Sequence, residues 1–391
     1  MDKLRILHVA DLGLRNLPHG GINPETGLNR RFEDVLHNFK TVVSTAIKEK
    51  VKYFVIAGDI NEERNPESIL IEKFSGVIAD LISKDIQVII VAGNHDVDSA
   101  KGTSTSVSYI KSLGLMNTHV ADLGPETFEF DDVVFHCLPT MYPSQLELKG
   151  NTELSAHLDK LIGKMKLKTG KPNVLVSHYS LENTFEGLDV DETVLKLDTL
   201  ARFDYVALGH IHKYEMFSSF TGGYTGSLFV KDFGEAYEKF FNVLEFQPPK
   251  NKANAFKVAI KKCQVPERRF AEFILDVEGM SVEDALELVK KEVKDVEGAV
   301  IKLKLSTQSR FNPHLIYNYL RECKVFHYAP IDWQLVDMDR TAALEVKDGM
   351  SDIDVVTAFL ETQTEIDPDF KAAVQDYAGE VIDGWNQEVG A

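Results

Sequence analysis

Five short apolar runs in this chain each stop at residues able to ligate a cation. ILHVADLG reaches Asp11, YFVIAGDIN reaches Asp59, VIIVAGNHD reaches Asn94, His95 and Asp96, VLVSHYS reaches His178, and YVALGHIH reaches His210 and His212. The runs at 4–9, 53–57, 88–91, 133–138, 174–176 and 205–208 are short and rich in Val, Ile and Leu, with amphipathic helical patterns over 31–49 and 66–83 between the first three. This alternation predicts buried strands of a layered α/β sheet, in which ligands gather at the carboxyl ends of strands. One Asp after a strand is ordinarily a turn residue, and one His is ordinarily structural. Five such ends carrying carboxylate, amide and imidazole together predict a metal centre.

The rest of the chain bounds the class. A length of 391 residues predicts two or three domains. With 44% hydrophobic and 27% charged residues the chain buries a full core and is not broadly disordered. Against 43 Lys and Arg stand 61 Asp and Glu, a net charge of −18, which excludes coating nucleic acid by bulk charge. Residues 350–391 hold ten of the acids and one base, so the tail is acidic and the body only mildly so. Cys137, Cys263 and Cys323 are too sparse for a disulfide framework or a CxxC metal site. No apolar stretch suits a signal peptide, and none approaches the roughly 20 residues of a membrane span. The expectation is a soluble intracellular protein with no membrane contact.

A hairpin-rich piece, GGYTGSLFVKDFGEAYEKFFNVLEF, follows the last of these runs. The proline pair opening PPKNKANAFKVAIKKC (248–263) marks a boundary, giving a first domain over 1–262. A small α+β domain over 266–340 reads as strand FAEFILDV, helix SVEDALELVKKEV opened by Ser281 with Asp284 as a capping pair, strand AVIKLKL, helix NPHLIYNYLREC, and one or two strands in VFHYAPIDWQLV. Over 350–391 the pattern is helical, with Phe370, Ala373, Val374, Tyr377, Val381 and Ile382 on one apolar face. Packing on the same protein is the commoner use of such a face; docking onto a partner is the rival.

Two divalent cations about 3.5–4 Å apart require a shared carboxylate, and imidazole mixed with carboxylate suits Mn, Fe or Zn better than Ca. Water activated between them attacks phosphorus in line, the cations hold the oxygens where charge accumulates, and an imidazole beyond the ligand set protonates the leaving oxygen.

The order Asp11, Gly58-Asp59, Gly93-Asn94-His95-Asp96, His178 and Gly209-His210-Ile211-His212 resembles the D–x–H, GD, GNHD, H, GHxH pattern of calcineurin-like metallophosphoesterases. Within them, GSLFVKDFGEAYEKFF (226–241) is similar to the GS…DFGE…K stretch of the SbcD family of DNA repair nucleases. The resemblance implies a layered sheet core, a DNA-contacting capping domain over 266–340, and a helical segment at 350–391 holding an SMC-like ATPase. Asp59 would bridge two metal ions, most often Mn2+. Asp11 and His212 would serve the first ion, and Asn94, His178 and His210 the second. His95 would be the general acid and Asp96 its support; for Asp96, a turn or cap residue is an equal alternative.

One position departs from the family. Where D–x–H has its histidine, this chain has Gly13, which offers no side-chain ligand. Water or another side chain completes the first shell, with His8 and His19 nearest in sequence; or the first site is weak; or an original histidine was replaced. The favoured expectation is an impaired first site in a nuclease scaffold.

For DNA, Lys160, Lys164, Lys166, Lys168 and Lys171 form one basic island, and Lys250, Lys252, Lys257, Lys261, Lys262, Arg268 and Arg269 another; Arg15, Arg30 and Arg31 follow the first metal motif. Each island alone is more often a solvated face, and none reads bases. The implied function is 3′-to-5′ exonuclease and single-strand endonuclease action in a homodimer coupled to the ATPase, in a bacterial nucleoid or, for a phage protein, the host cytoplasm. The rivals are a phosphoesterase acting on nucleotides or phosphoproteins, and a catalytically silent DNA-binding scaffold. His136 and Cys137 read as core.

Overall fold

The computed structural model of the chain describes residues 3–97, 104–182, 192–248, 256–307, 310–335, 351–362, 371, 374, 375 and 377–379. By packing, the chain divides into two units. The first comprises Met1–Phe273 with Leu288–Leu303 and Pro313–Ile331; the second comprises Ile274–Glu287, Lys304–Asn312 and Asp332–Ala391. The 266–340 stretch is thus shared between them.

Two six-stranded sheets build the first unit. One runs Lys257–Gln264, Phe240–Gln247, Leu4–Val9, Tyr53–Ala57, Gln87–Val91 and Thr118–Ala121; the other runs Glu215–Met216, Gly222–Tyr224, Tyr205–Gly209, Asn173–His178, Val134–Leu138 and Glu126–Glu129. The central strands are parallel, with Ile6 opposite Tyr53 and Tyr53 opposite Gln87 in the first sheet, and Val134 opposite Asn173 and Val174 opposite Tyr205 in the second. Alternate side chains of each strand face opposite ways. Ile6, Val55, Ile89 and Val91 therefore meet Phe135, Val174, Val176 and Ala207 between the sheets. Leu7, Val9, Phe54, Ile56, Val88 and Ile90 face outward onto helices Arg30–Lys48 and Ser68–Ile82. On the far side Leu175, Val206 and Leu208 pack on Leu154, Leu158 and Ile162 of helix Asn151–Lys164. The central strands of both sheets are thus buried on both faces, which explains their unbroken apolar runs.

The architecture is mixed α/β in layers, as expected. All six predicted strands are present, two with the predicted ends and four with an end shifted by one or two residues, and both predicted helices form. His136 and Cys137 are buried on strand Val134–Leu138. In the first unit, Val300 and Ile301 pair in parallel with His327 and Tyr328. In the second, Lys304–Thr307 of strand Val300–Thr307 pairs in parallel with Asp332–Leu335. Helix Val282–Glu292 begins at the predicted cap, where Ser281 Oγ accepts from Asp284 N at 3.1 Å. Helix His314–Glu322 also forms. Of the tail, helix Asp352–Thr362 opens with Ser351 Oγ accepting from Asp354 N at 3.3 Å. Phe370, Ala373, Val381 and Ile382 of the predicted apolar face lie outside the described residues, and Tyr377 is exposed. Among the described residues no helix is long and apolar enough to cross a membrane.

Candidate metal centre

Because the central strands of both sheets run parallel, their carboxyl ends meet along one edge of the sandwich. Asp11 follows strand Leu4–Val9, Asp59 follows Tyr53–Ala57, Asn94 follows Gln87–Val91, His178 ends its own strand, and His210 follows Tyr205–Gly209. The chain leaves these strands through unusual backbone. Asp11, Asp59 and His210 have φ of 50°, 49° and 101°, a region non-glycine residues enter at a cost of about 1–3 kcal/mol. Gly93 is a space requirement: a Cβ there would lie 2.1 Å from Asp59 Oδ1.

Ligand atoms of Asp11, Asp59 and His178 lie within 4.8 Å of one another, and all three residues are buried. His178 Nε2 stands 3.1 Å from Asp59 Oδ2 and 3.9 Å from Asp11 Oδ1. Its Nδ1 donates to the Ala57 carbonyl at 2.7 Å, which directs Nε2 at the carboxylates, the arrangement that orients a metal-binding imidazole. Asn94 Oδ1 is 3.2 Å from His178 Nε2 and 2.9 Å from His210 Nδ1. The other ring nitrogen of His210 meets Glu192 Oε1 at 2.9 Å, and its backbone N–H donates to Asp11 Oδ1 at 3.0 Å. Burial would lower the His178 pKa, but the charges of Asp59 and Asp11 lift it to about 9. Burial likewise opposes ionisation of Asp59, yet His178 and His95 pull it down to about 2. Two buried carboxylates therefore face each other across imidazole, a donor set suited to cations.

His95 and Asp96 occupy different places. The His95 side chain is 38% exposed, with Nε2 4.0 Å from Asp59 Oδ2, while its backbone N–H donates to Asp59 Oδ1 at 2.9 Å. Asp96 is buried and accepts from the backbone N–H of Gly93, Ile60 and Asn61 at 3.0, 3.2 and 3.1 Å, and from Ser106 Oγ at 3.0 Å. It ties the turn carrying Asn94 and His95 to the turn carrying Asp59. Burial and the nearby Asp59 charge push its pKa up to about 6.

Around His212 the structure gives physical content to the GS…DFGE…K stretch. His212 Nδ1 meets Glu235 Oε1 at 2.7 Å. Lys239 Nζ donates to Ser227 Oγ at 2.9 Å and Glu235 Oε2 at 3.2 Å, and lies 3.5 Å from the His212 carbonyl. Burial depresses the His212 imidazole, but the Glu235 hydrogen bond and the Asp11 charge leave it above its ordinary value. Glu192 and Glu235 are contacts that motif reading missed; Glu235 stood inside a quoted motif, whereas nothing local in the sequence marked Glu192. The Lys239 side chain is only 1% exposed. Removing one member of such a pair costs about 3–5 kcal/mol, so Lys239→Met is expected to lower the unfolding free energy by that amount in chemical denaturation. A loss below about 1 kcal/mol would place the pair with weak surface pairs.

Neither proposed substitute for the missing histidine points at the cluster. His8 is fully buried between the sheets, its Nδ1 3.1 Å from the Tyr205 hydroxyl, and burial lowers its pKa to about 3. His19 packs edge-on against Phe233 and Phe270 and beside His327.

The basic residues scatter. Arg31 is 1% exposed, donates to the Val230 carbonyl, and sits over the Phe270 ring at 4.6 Å, so its guanidinium does not reach solvent. Its apparent place in a surface cluster came from adjacency to Arg30, which stacks on Phe326 at 4.0 Å. Arg15 pairs with Glu62 at 3.2 Å. On strand Lys257–Gln264, Lys257 is exposed, Lys261 pairs with Glu49 at 2.7 Å, and Lys262 lies over the Phe240 ring at 3.5 Å. Lys168 and Lys171 both pair with Glu129, at 2.8 and 3.1 Å. Lys250 and Lys252 lie outside the described residues.

A family model described as calcineurin-like phosphoesterase matches residues 4–214. Among similar curated proteins, the DNA double-strand break repair protein Mre11 of Methanopyrus kandleri is 25% identical over 216 residues, which is 54% of this chain and 44% of that protein. The same-named protein of Archaeoglobus fulgidus is 28% identical over 214 residues, 53% of this chain and 47% of the relative. The chain spans about half the length of these relatives. A dimetal phosphatase from Danio rerio is similar in structure at a TM-score of 0.40 and 13% identity, over 66% of this chain and 98% of that one.

Proposed function

The chain belongs to the calcineurin-like phosphoesterase family, and from that premise we propose that it is a two-metal DNA nuclease. Its reaction would be hydrolysis of phosphodiesters, by 3′-to-5′ exonuclease and single-strand endonuclease action. The observation that carries the metal chemistry is the buried Asp11, Asp59 and His178 cluster, with Asn94 and His210 in hydrogen-bond reach of it. A fold shared by many phosphoesterases does not choose a substrate. The preference for DNA rests on the 226–241 stretch and on the similarity to DNA double-strand break repair proteins.

The residues fit divalent cations. Their donors are carboxylate oxygen, amide oxygen and an imidazole held in one tautomer by Ala57, the mixture that Mn2+ accepts. In this reading Asp59 is shared between two cations, with Asp11 and His212 on one side and Asn94, His178 and His210 on the other. Bound cations would supply Lewis acidity toward the phosphate and lower the pKa of the attacking water. The protein's own part is positioning and proton transfer. Asp96 holds the Asp59 and Asn94 turns in one frame, Glu192 and Glu235 orient the two imidazoles of the GHxH turn, and His95, the partly exposed member, donates a proton to the leaving oxygen.

DNA is proposed to approach along Arg15, Arg30 and the Lys257, Lys261 and Lys262 strand, with the 266–340 piece as a capping domain. The helical segment over 350–391 is assigned to an SMC-like ATPase, and the active form to a homodimer. Incubation of the purified chain with linear duplex and single-stranded DNA over a Mn2+ titration tests the reading. Cleavage should rise with Mn2+ and stop on chelation. Hydrolysis of small phosphodiesters with no cut in either DNA would hand the site to a nucleotide or phosphoprotein substrate.

A further inference from the structure

Position 13 is closed to side chains by a neighbouring ring. An ideal Cβ on Gly13 would lie 2.1 Å from Phe229 Cε1 and 2.4 Å from Cζ, and Gly13 has φ +58°. Phe229 is 2% exposed, and its ring centroid is 6.2 Å from that of His212. The ring therefore stands beside the His212 imidazole, in the space a ligand from position 13 would need.

Neither backbone is free to give way. Gly13 N donates to the Asp59 carbonyl at 3.1 Å and Leu14 N to Ile60 at 2.9 Å. On the other side Ser227 N donates to His212 at 3.1 Å and Leu228 N to Asp11 at 3.3 Å. Asn38 Nδ2 donates to the Leu228 carbonyl at 2.7 Å, and Arg31 to that of Val230. Phe229 is thus held on one flank by the segments that carry Asp11 and His212, and on the other by Arg31 of helix Arg30–Lys48. The space that a side chain at position 13 would enter is filled by an apolar ring.

We infer that Phe229 makes the two halves of the centre unequal. The half built from His178, Asn94 and His210 with Asp59 has four side-chain donors. The half built from Asp11 and His212 with Asp59 has three, and Phe229 denies it a fourth. The protein then binds one Mn2+ tightly and a second weakly, and Phe229 sets that difference. This inference rests on the metal-centre reading proposed above and goes beyond it by naming the residue that controls the second ion.

Mn2+ binding to the purified chain by titration calorimetry, with free ion counted by electron paramagnetic resonance, tests it without reference to activity. The wild type should show one tight and one weak site. Phe229→His puts an imidazole on the existing ring position without the strained backbone at 13, and should tighten the weak site by at least about tenfold, the lower end of what a single group near a metal contributes. Gly13→His with Phe229 intact should not tighten it, because of the ring; Gly13→His with Phe229→Ala should. Thermal melts show whether each variant is folded, and Phe229→His carries the test if the double variant is not. Two equal sites in the wild type, or a folded Phe229→His protein with an unchanged weak site, overturns the inference while leaving the metal centre standing. No Mn2+ bound at all overturns the metal-centre reading, and this inference with it.

Discussion

Asp59→Asn is expected to abolish tight Mn2+ binding and reduce DNA cleavage on the order of 10³-fold or more, the scale at which loss of one strong electrostatic group in a buried site is felt. The reason is position. Asp59 Oδ2 lies 3.1 Å from His178 Nε2 and its Oδ1 accepts the His95 N–H at 2.9 Å, so it is the carboxylate on which the strand ends converge. Asparagine keeps an oxygen for the His95 N–H and keeps the volume, so the turn should hold and the melting temperature should move by only a few degrees. What it removes is the negative charge that, in the proposed centre, would be shared between two cations. Calorimetry and a cleavage assay on the same preparation separate the two effects. Cleavage within tenfold of wild type, in a variant that still binds Mn2+, would show that Asp59 is not the shared ligand.

How much of this was legible in the sequence depends on how local the cause is. The metal-type residues were legible because parallel strands covered on both faces read as unbroken apolar runs, and each run ends where carboxylate, amide and imidazole residues begin. Ser281 and Asp284 were legible for a similar reason, since a capping pair is written within four residues. Strand Thr118–Ala121, four residues long, offered no periodicity. Helix Asn151–Lys164 carries Leu154, Leu158 and Ile162 at helical spacing, yet Lys160 and Lys164 invited a charge reading instead. Glu192 could not be found, because its contact with His210 joins a loop to a strand end. Phe229 was hidden for the same cause: its conflict with Gly13 spans more than two hundred residues and exists only once two sheets are stacked. Arg31 shows the opposite error. Two adjacent arginines on a helix face different ways, and the one at 31 turns inward to Val230.

The last expected result concerns His95, whose side chain, 38% exposed, is the most open of the imidazoles around the cluster. As a proton donor to the leaving oxygen, it should be worth about 10²–10⁴ in kcat on DNA, so His95→Asn should lose that much while binding Mn2+ normally. The backbone N–H to Asp59 survives the substitution, and among the described residues no side chain makes a short hydrogen bond to the imidazole, so the fold should be unaffected. Leaving-group chemistry separates proton donation from mere phosphate positioning. A DNA 3′- or 5′-oxygen leaves as a poor alkoxide and needs the proton; a p-nitrophenolate leaves without one. His95→Asn should therefore hydrolyse bis-p-nitrophenyl phosphate at close to the wild-type rate while failing on DNA. An equal loss on both substrates would mean that His95 positions the phosphate instead, and the proton would have to come from water or from another group at the rim.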